Sequence, residues 1–310
     1  MNVIYNGPYS NVYREDKYAV KKVDRDFSLP PHNIDRELQL VKSLDHPNVI
    51  KFLKVENKLD DVMMYMEFYP QNLQEYLKAN CRKKSRFVVG QVSFVTESRL
   101  SLDSIAHVLD QVIEAIWFVH KNGIIHRDIK PSNFLVTQEP ELRVVLCDFS
   151  ISVAVGENDQ ISDVCSTYYK PLEVIFGLEY GLEIDVWGLG IMISHLYSRS
   201  CTNTLFEEED INDGYRAISD FKIIDRIFKR FGTPTKDDEN SINYWPEIFE
   251  VENFQLIQLN SRPRQLDIFP RGTDEKMVTL FNRICDMNQK RRIAMSEVRD
   301  RWTQIREGSS

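Results

Sequence analysis

The stretch from His126 to Ser150 constrains this chain more than any other. It reads HRDIKPSNFLV, then a short polar turn, then LRVVLCDFS. Asp128, Lys130 and Asn133 fall within six residues, and Asp148 follows fifteen residues after Asn133 at the end of an apolar run. That set suits phosphoryl transfer. Asp128 can accept the proton of an attacking hydroxyl, and Lys130 can offer positive charge to a moving phosphate. Asn133 and Asp148 can supply oxygens to Mg²⁺, a hard cation that takes oxygen ligands. The bland alternative is a polar loop between two strands.

The totals set outer bounds. With 310 residues the chain is long enough for one large or two small domains. No apolar run approaches the roughly 18 residues of a membrane span, so no membrane partner is expected. The opening MNVIYNGPYS lacks a basic region followed by an apolar core, and no signal peptide is expected. The five cysteines (81, 147, 165, 201 and 285) are scattered and form no C-x-x-C pair. This predicts reduced thiols, no disulfide frame, no zinc site, and a cytoplasmic or nuclear location. A formal net charge of −8 argues against general nucleic-acid binding.

Residues 3 to 23 read as three short strands. In the third, Lys17 to Val23, the period of two puts Ala19, Lys21 and Val23 on one face. A small residue beside a cation suits a nucleotide, and the alternative is a surface strand with a solvated lysine. From His32 to Asp45 the helical period aligns Ile34, Leu38, Val41 and Leu44, and Glu37 points the same way. An inward carboxylate needs a partner, and Lys21 is the obvious one. VIKFLKV and VMMYMEF, within residues 48–67, complete a five-stranded sheet. Met63 and Met64 read as core. The basic cluster Arg82-Lys83-Lys84-Ser85-Arg86 reads as solvated loop, with a docking or targeting patch as the alternative. Ser104 to His120 predicts a helix stopped by Gly123. The polar tail after Trp302 is expected to fray.

The His126–Ser150 stretch resembles the catalytic loop and metal-binding turn of eukaryotic protein kinases, and its residue roles are those of that family's pattern. Tyr18-Ala19-Val20-Lys21 and Glu37 match the family's strand lysine and helix glutamate. The resemblance covers nearly the whole chain. It implies an α+β, two-lobed kinase fold: a small five-stranded lobe with one main helix (1–68), a hinge (69–73) and a larger, mostly helical lobe (74–310). It implies ATP and Mg²⁺ as cofactors and a protein substrate. Asp128, Lys130, Lys21 and Glu37 would be catalytic, and Asn133 and Asp148 would hold the metal. The nucleotide site would comprise Ile4, Gly7, Val12, Ala19, Lys21, Met66, Glu67, Tyr69, Asn72, Asn133, Leu135 and Asp148. Met66 would be the gatekeeper, Glu67 and Tyr69 would offer backbone groups to adenine, and Asn72 would sit near the ribose. Glu173 is the expected partner of Arg292, Ser166 would touch Asp128, and Asp185 would brace the catalytic loop.

The departures from the pattern narrow the resemblance. Of three expected glycines between Ile4 and Val12 only Gly7 is present, with Tyr5 and Ser10 in the outer places. Asp-Phe-Ser replaces Asp-Phe-Gly, and Lys170-Pro171-Leu172 replaces Arg-Ala-Pro. Ile161 occupies the usual phosphothreonine position. Arg127 therefore needs another anion: Asp163, Glu157, Asp159 or a phosphorylated Ser162. RELQLVKSLDHPNVI, IIDRIFKRFGTP and Tyr244-Trp245-Pro246 are similar to the cyclin-dependent kinase branch. The helix lacks a PSTAIRE-like cyclin motif, reading PPHNIDRE. Together these features resemble the monomeric CDK-activating kinases of budding yeasts and imply a monomeric, cyclin-independent enzyme acting on a cyclin-dependent kinase. A cyclin-requiring kinase and a pseudokinase scaffold are the rivals.

Overall fold

The structure, a computed structural model, describes residues 2–88, 91–157, 159–198, 219–264, 268–270 and 273–308. The chain divides into two compact units, Met1–Tyr76 with Val108–Val164, and Leu77–His107 with Cys165–Ser310.

The first unit is built on the expected five-stranded antiparallel sheet. Its strands are β1 (Asn2–Asn6), β2 (Asn11–Glu15), β3 (Tyr18–Asp24), β4 (Phe52–Lys58) and β5 (Asp61–Glu67), in the order β1-β2-β3-β5-β4. Pairing of Val20 with Tyr65 and of Lys22 with Met63 puts Val20, Met63 and Tyr65 in one buried cluster. The other face of the same two strands carries Ala19, Lys21, Met64 and Met66, with Lys21 opposite Met64 and Ala19 opposite Met66. Met63 and Met64 are core, as expected.

Helix α1 (Ile34–Ser43) begins where the Asn33 side chain accepts a hydrogen bond from the Arg36 N–H, a cap that satisfies one orphan donor of the first turn. Asp35 and Glu37 in that turn suit the positive end of the helix dipole. Ile34, Glu37, Leu38, Leu40 and Val41 form its buried stripe.

The rest of this unit leads into the His126–Ser150 stretch. Strand β6 (Gln71–Asn72) leads into α2 (Leu73–Ala79), and Val108–Lys121 of the long helix α3 (Leu102–Lys121) precedes β9 (Ile124–Ile125). Strands β10 (Phe134–Thr137) and β11 (Arg143–Leu146) form a hairpin, with β6 pairing on β10. The Ile50 N–H donates to the Leu146 carbonyl, and the Leu146 N–H donates to the Asn48 carbonyl, each at 2.8 Å. These bonds fix the exit of β11, two residues before Asp148. Strand β12 (Val153–Ala154) pairs with β9 and closes the unit.

The second unit departs from expectation at its start. Two antiparallel strands, β7 (Cys81–Val88) and β8 (Gln91–Ser98), pair where a loop is expected. Arg82 and Lys84 share Glu97 across the strands. Cys147, Cys165 and Cys285 are free thiols as expected, while Cys201 lies outside the described residues. Cys81 corrects the expectation of no disulfide: it is disulfide-bonded, since scattered spacing along the chain does not keep cysteines apart in the fold.

Around α5 (Glu183–Tyr197), apolar on all sides and buried, pack α6 (Asp220–Phe231) and α8 (Glu275–Ile284), with Trp187 against Phe231 and Phe231 against Phe281. A short helix α4 (Leu172–Ile175) carries Glu173, and α7 is the single turn Glu252–Gln255. Glu173 and Arg292 form the expected ion pair, and both side chains are fully buried. The tail does not fray at Trp302. Helix α9 (Met295–Gly308) runs through it, because Met295, Val298, Trp302 and Ile305 recur at helical spacing and are buried.

Candidate active site

Every residue expected at the site, apart from Ser166 and Asp185, lies in the first unit. The sheet and α1 bring Lys21 and Glu37 together. Lys21 Nζ donates to both Glu37 oxygens, at 2.8 and 3.0 Å, and to Asp148 Oδ1 at 2.9 Å. Lys21 and Glu37 are 6% and 2% exposed, while the Asp148 side chain keeps 42% of its surface open. Burial opposes charge on Lys21, yet the carboxylates of Asp148 and Glu37 hold its ammonium well above the usual lysine range. Partial desolvation works against the half-open Asp148 carboxylate, and Lys21 overcomes it and holds that carboxyl well below its usual range. For Glu37 the balance falls the other way: burial pushes the carboxyl up despite Lys21.

The loop from His126 to Asn133 is internally braced. Lys130 Nζ lies 2.7 Å from Asp128 Oδ2. The Asn133 amide donates to the Asp128 carbonyl and to Asp128 Oδ2, both at 2.8 Å. With both amide hydrogens so used, Asn133 Oδ1 is left without a partner among the described residues. His126 fastens this loop to the turn bearing Asp148. Its Nε2 donates to the Cys147 carbonyl at 3.0 Å, and its Nδ1 accepts from the Asp128 N–H at 3.3 Å. That pattern assigns the tautomer with the proton on Nε2. Two residues of the segment have left-handed backbone, Arg127 at φ +68° and Asp148 at φ +65°.

Arg127 is completely buried. Its guanidinium donates to the Ile151 carbonyl, to the Asp159 carbonyl at 3.0 Å and to Asp159 Oδ2 at 3.3 Å. Of the anions expected for it, the structure selects Asp159. Arg36, on α1 beside Glu37, reaches the same Asp159 Oδ2 at 2.7 Å.

Ala19, Met66, Leu135 and Asn72 lie on paired strands: Ala19 opposite Met66, and Leu135 opposite Asn72. Asn72 also has a structural task that the sequence did not announce. Its Oδ1 accepts from the Glu75 N–H and its N–H donates to Glu75, which caps α2. Tyr69 is buried and its hydroxyl donates to Glu67. Ile4 is half exposed on β1, and Val12 is paired with Lys21. The loop between β1 and β2 is covered by tyrosines. A Cβ at Gly7 would come within 2.5 Å of the Tyr5 ring, and Tyr9 stacks on His32 with ring centroids 4.0 Å apart. Tyr5, in a place where the resemblance expects glycine, was the sequence signal for the first of these contacts.

The site thus offers a lysine held between two carboxylates, an aspartate fixed by a lysine and an asparagine, and two oxygen donors, Asn133 Oδ1 and the half-open Asp148 carboxylate. The family model described as the protein kinase domain matches residues 6–302. The chain belongs to the protein kinase family. It is 30% identical over 276 residues to serine/threonine-protein kinase CAK1 of Saccharomyces cerevisiae, covering 77% of this chain and 73% of that one. It is 28% identical over 289 residues to CTD kinase subunit alpha of the same yeast, covering 89% of this chain. There it spans about half of the relative's length, 47%. Among solved structures, the yeast RNA Pol II CTD kinase CTDK-1 complex contains a chain of like fold. The TM-score is 0.71 at 23% identity, over 94% of this chain and 87% of that one. The kinase is a serine/threonine protein kinase of the cyclin-dependent-kinase-related group, it acts on protein substrates, and its family uses ATP and Mg²⁺. The α+β kinase fold is as expected.

Proposed function

We propose that this kinase transfers the ATP γ-phosphate to the activation-loop threonine of a cyclin-dependent kinase, and that it does so as a single chain without a cyclin. One observation carries the catalytic part of the reading: Lys21 joined at once to Glu37 and Asp148. A buried ammonium so placed is ready to grip phosphate oxygens. The donor set fits the cofactors. Asn133 Oδ1 and the open side of Asp148 are hard oxygen ligands for Mg²⁺, too few for an all-protein cage and in keeping with an ion that also takes phosphates and water. When bound, Mg²⁺ neutralises phosphate charge and orients the group to be moved.

The chain's own residues do the rest. Asp128 orients the acceptor hydroxyl and takes its proton. Lys130, ion-paired to Asp128, faces the charge that develops as the proton leaves. Ile4, Gly7 and Val12 would cover the nucleotide, Ala19, Met66 and Leu135 would flank its base, and the backbones of Glu67 and Tyr69 would offer it hydrogen-bonding groups. Asn72 contributes near the ribose through whatever its cap leaves open. The choice of acceptor rests on the likeness to yeast CAK1 and on the absence of a cyclin motif in the sequence of α1. A second reading, a kinase that needs a cyclin, draws on the likeness to a protein named as a subunit of CTD kinase. A scaffold without activity is disfavoured by the complete set Lys21, Glu37, Asp128, Asn133 and Asp148.

The test is phosphate transfer by the purified chain with Mg-ATP and a catalytically dead cyclin-dependent kinase, beside an Asp128→Asn control. Label on the acceptor's activation-loop threonine, lost in the control, is the expected result. Transfer only after cyclin is added would refute the single-chain reading.

A further inference from the structure

Arg127 and Arg36 come from different parts of the first unit, the catalytic loop and α1, yet meet one carboxylate. A guanidinium that is fully buried must have a counter-charge, and the cost of leaving it unpaired is large. Asp159 supplies that charge from its side chain and a further acceptor from its backbone carbonyl. Its Oδ2 is 2.7 Å from Arg36 and 3.3 Å from Arg127, its carbonyl accepts from Arg127 at 3.0 Å, and its side chain is only 15% exposed. Glu157 stands by at 3.6 Å from Arg36 and is far more open.

The position of Asp159 is set by short-range structure. Strand β12 pairs with β9, which enters the catalytic loop, and the Val155 N–H donates to the Gly123 carbonyl at 2.7 Å. The Glu157 N–H then donates to the Ala154 carbonyl, and the Asp159 N–H to the Glu157 carbonyl at 2.9 Å. At the other end, Arg36 immediately precedes Glu37, and the Asn33 N–H donates to the Ser150 carbonyl at 3.0 Å. The N-terminal turn of α1 is thus held at two points by the segment that follows Asp148.

We propose that Asp159 is a positioning residue: a permanent counter-anion that clamps the first turn of α1 to Arg127, so that Glu37 and Lys21 stand in register without a phosphate on the loop. The inference rests on the kinase reading above. A fixed carboxylate does here what a covalently added phosphate would otherwise have to do, and the loop needs no upstream kinase.

The experiment uses the full chain and the variants Asp159→Asn, Asp159→Ala, Asp159→Glu and Glu157→Gln. With the dead-kinase acceptor, Asp159→Asn lowers kcat by on the order of 10- to 100-fold, the scale for a displaced catalytic group, with KM for ATP changing far less. Asp159→Glu recovers part of the rate, and Glu157→Gln stays within about twofold of wild type. Inorganic phosphate at tens of millimolar restores part of the rate of Asp159→Ala. A readout independent of turnover accompanies these: phosphate raises the Tm of Asp159→Ala but not that of the wild type. Wild-type kcat in Asp159→Asn overturns the inference and leaves the kinase reading intact. So does activity of the wild type that phosphatase treatment abolishes. If the wild type transfers no phosphate at all, the kinase reading fails, and the phosphate-dependent Tm decides the clamp: a rise supports it, and no rise refutes it.

Discussion

Replacing Glu37 by glutamine isolates the charge in the Lys21 grip while leaving shape and one acceptor oxygen in place. In the wild type Lys21 Nζ has Glu37 oxygens at 2.8 and 3.0 Å and Asp148 Oδ1 at 2.9 Å, all in a region where Lys21 is 6% exposed. Breaking a buried ion pair outright costs roughly 3–5 kcal/mol. Here the loss is smaller, for two reasons. Asp148 still neutralises Lys21, and the buried Glu37 carboxylate carries a desolvation cost that glutamine lacks. A charge-assisted hydrogen bond is worth about 1.5–3 kcal/mol, so a net loss of about 1–2 kcal/mol is expected. The catalytic loss should be larger. With one anchor gone, Lys21 follows Asp148, and kcat/KM falls on the order of 100-fold for a misplacement of this kind. Urea unfolding followed by tryptophan fluorescence gives the first quantity, and initial rates with the protein acceptor give the second. A Glu37→Gln chain that unfolds at the wild-type urea concentration and turns over within twofold of wild type would refute the reasoning.

Other outcomes follow from other contacts. Gly190→Ala should destabilise by about 1–3 kcal/mol through overpacking, since a Cβ there would collide with Cys285 Sγ and lie 2.9 Å from Ile284 Cγ2; Tm reads it, and an unchanged Tm denies that α5 and α8 meet so closely. Acid should weaken the fold partly through Asp159, which Arg36 and Arg127 hold below its ordinary value near 3.8 against the opposing effect of burial. A lowered carboxyl contributes stability that is present above the unfolded value and lost as pH falls through the folded one. Stability of the wild type should therefore drop more steeply below about pH 4 than that of Asp159→Asn, and parallel curves would contradict this. By the kinase resemblance, the arginine that Lys170 replaces helps shape the pocket for the residue after the phosphorylated one, and lysine lacks its planar fork, so a peptide library should display no demand for proline there; strong proline selection would contradict this.

What the sequence made legible was whatever repeats at a short period or recurs at fixed spacing. The period of two paired Lys21 with the right face of β3, and the helical period turned Glu37 toward it. The two side chains meet at 2.8 Å. Asp128, Asn133 and Asp148 stood out because of their fixed spacing, and the structure joins Asn133 to Asp128 and Asp148 to Lys21. The pairing of β7 with β8 was not legible, because consecutive cations hide the alternation that identifies a strand, and its support is the cross-strand partner Glu97. Helix α9 beyond Trp302 was masked by polar composition, although Ile305 continues the stripe of Met295, Val298 and Trp302. Asp159 stood among three acids within seven residues, and nothing local separates it from Glu157 or Asp163. The β9–β12 ladder decides between them, a contact between segments almost thirty residues apart.

The left-handed backbone at Arg127 and Asp148 governs which substitutions there can be read as chemistry. Aspartate and asparagine visit that conformation more easily than alanine, for which it costs roughly 1–2 kcal/mol. Asp148→Asn therefore subtracts a charge and little else. Asp148→Ala subtracts the charge and also strains the turn, so an alanine scan would assign to the carboxylate energy that belongs to the main chain. At Arg127 no natural residue supplies both the guanidinium and the easy φ. That site is held by its charge against its backbone, and glycine there would relax the turn while emptying the pocket it fills.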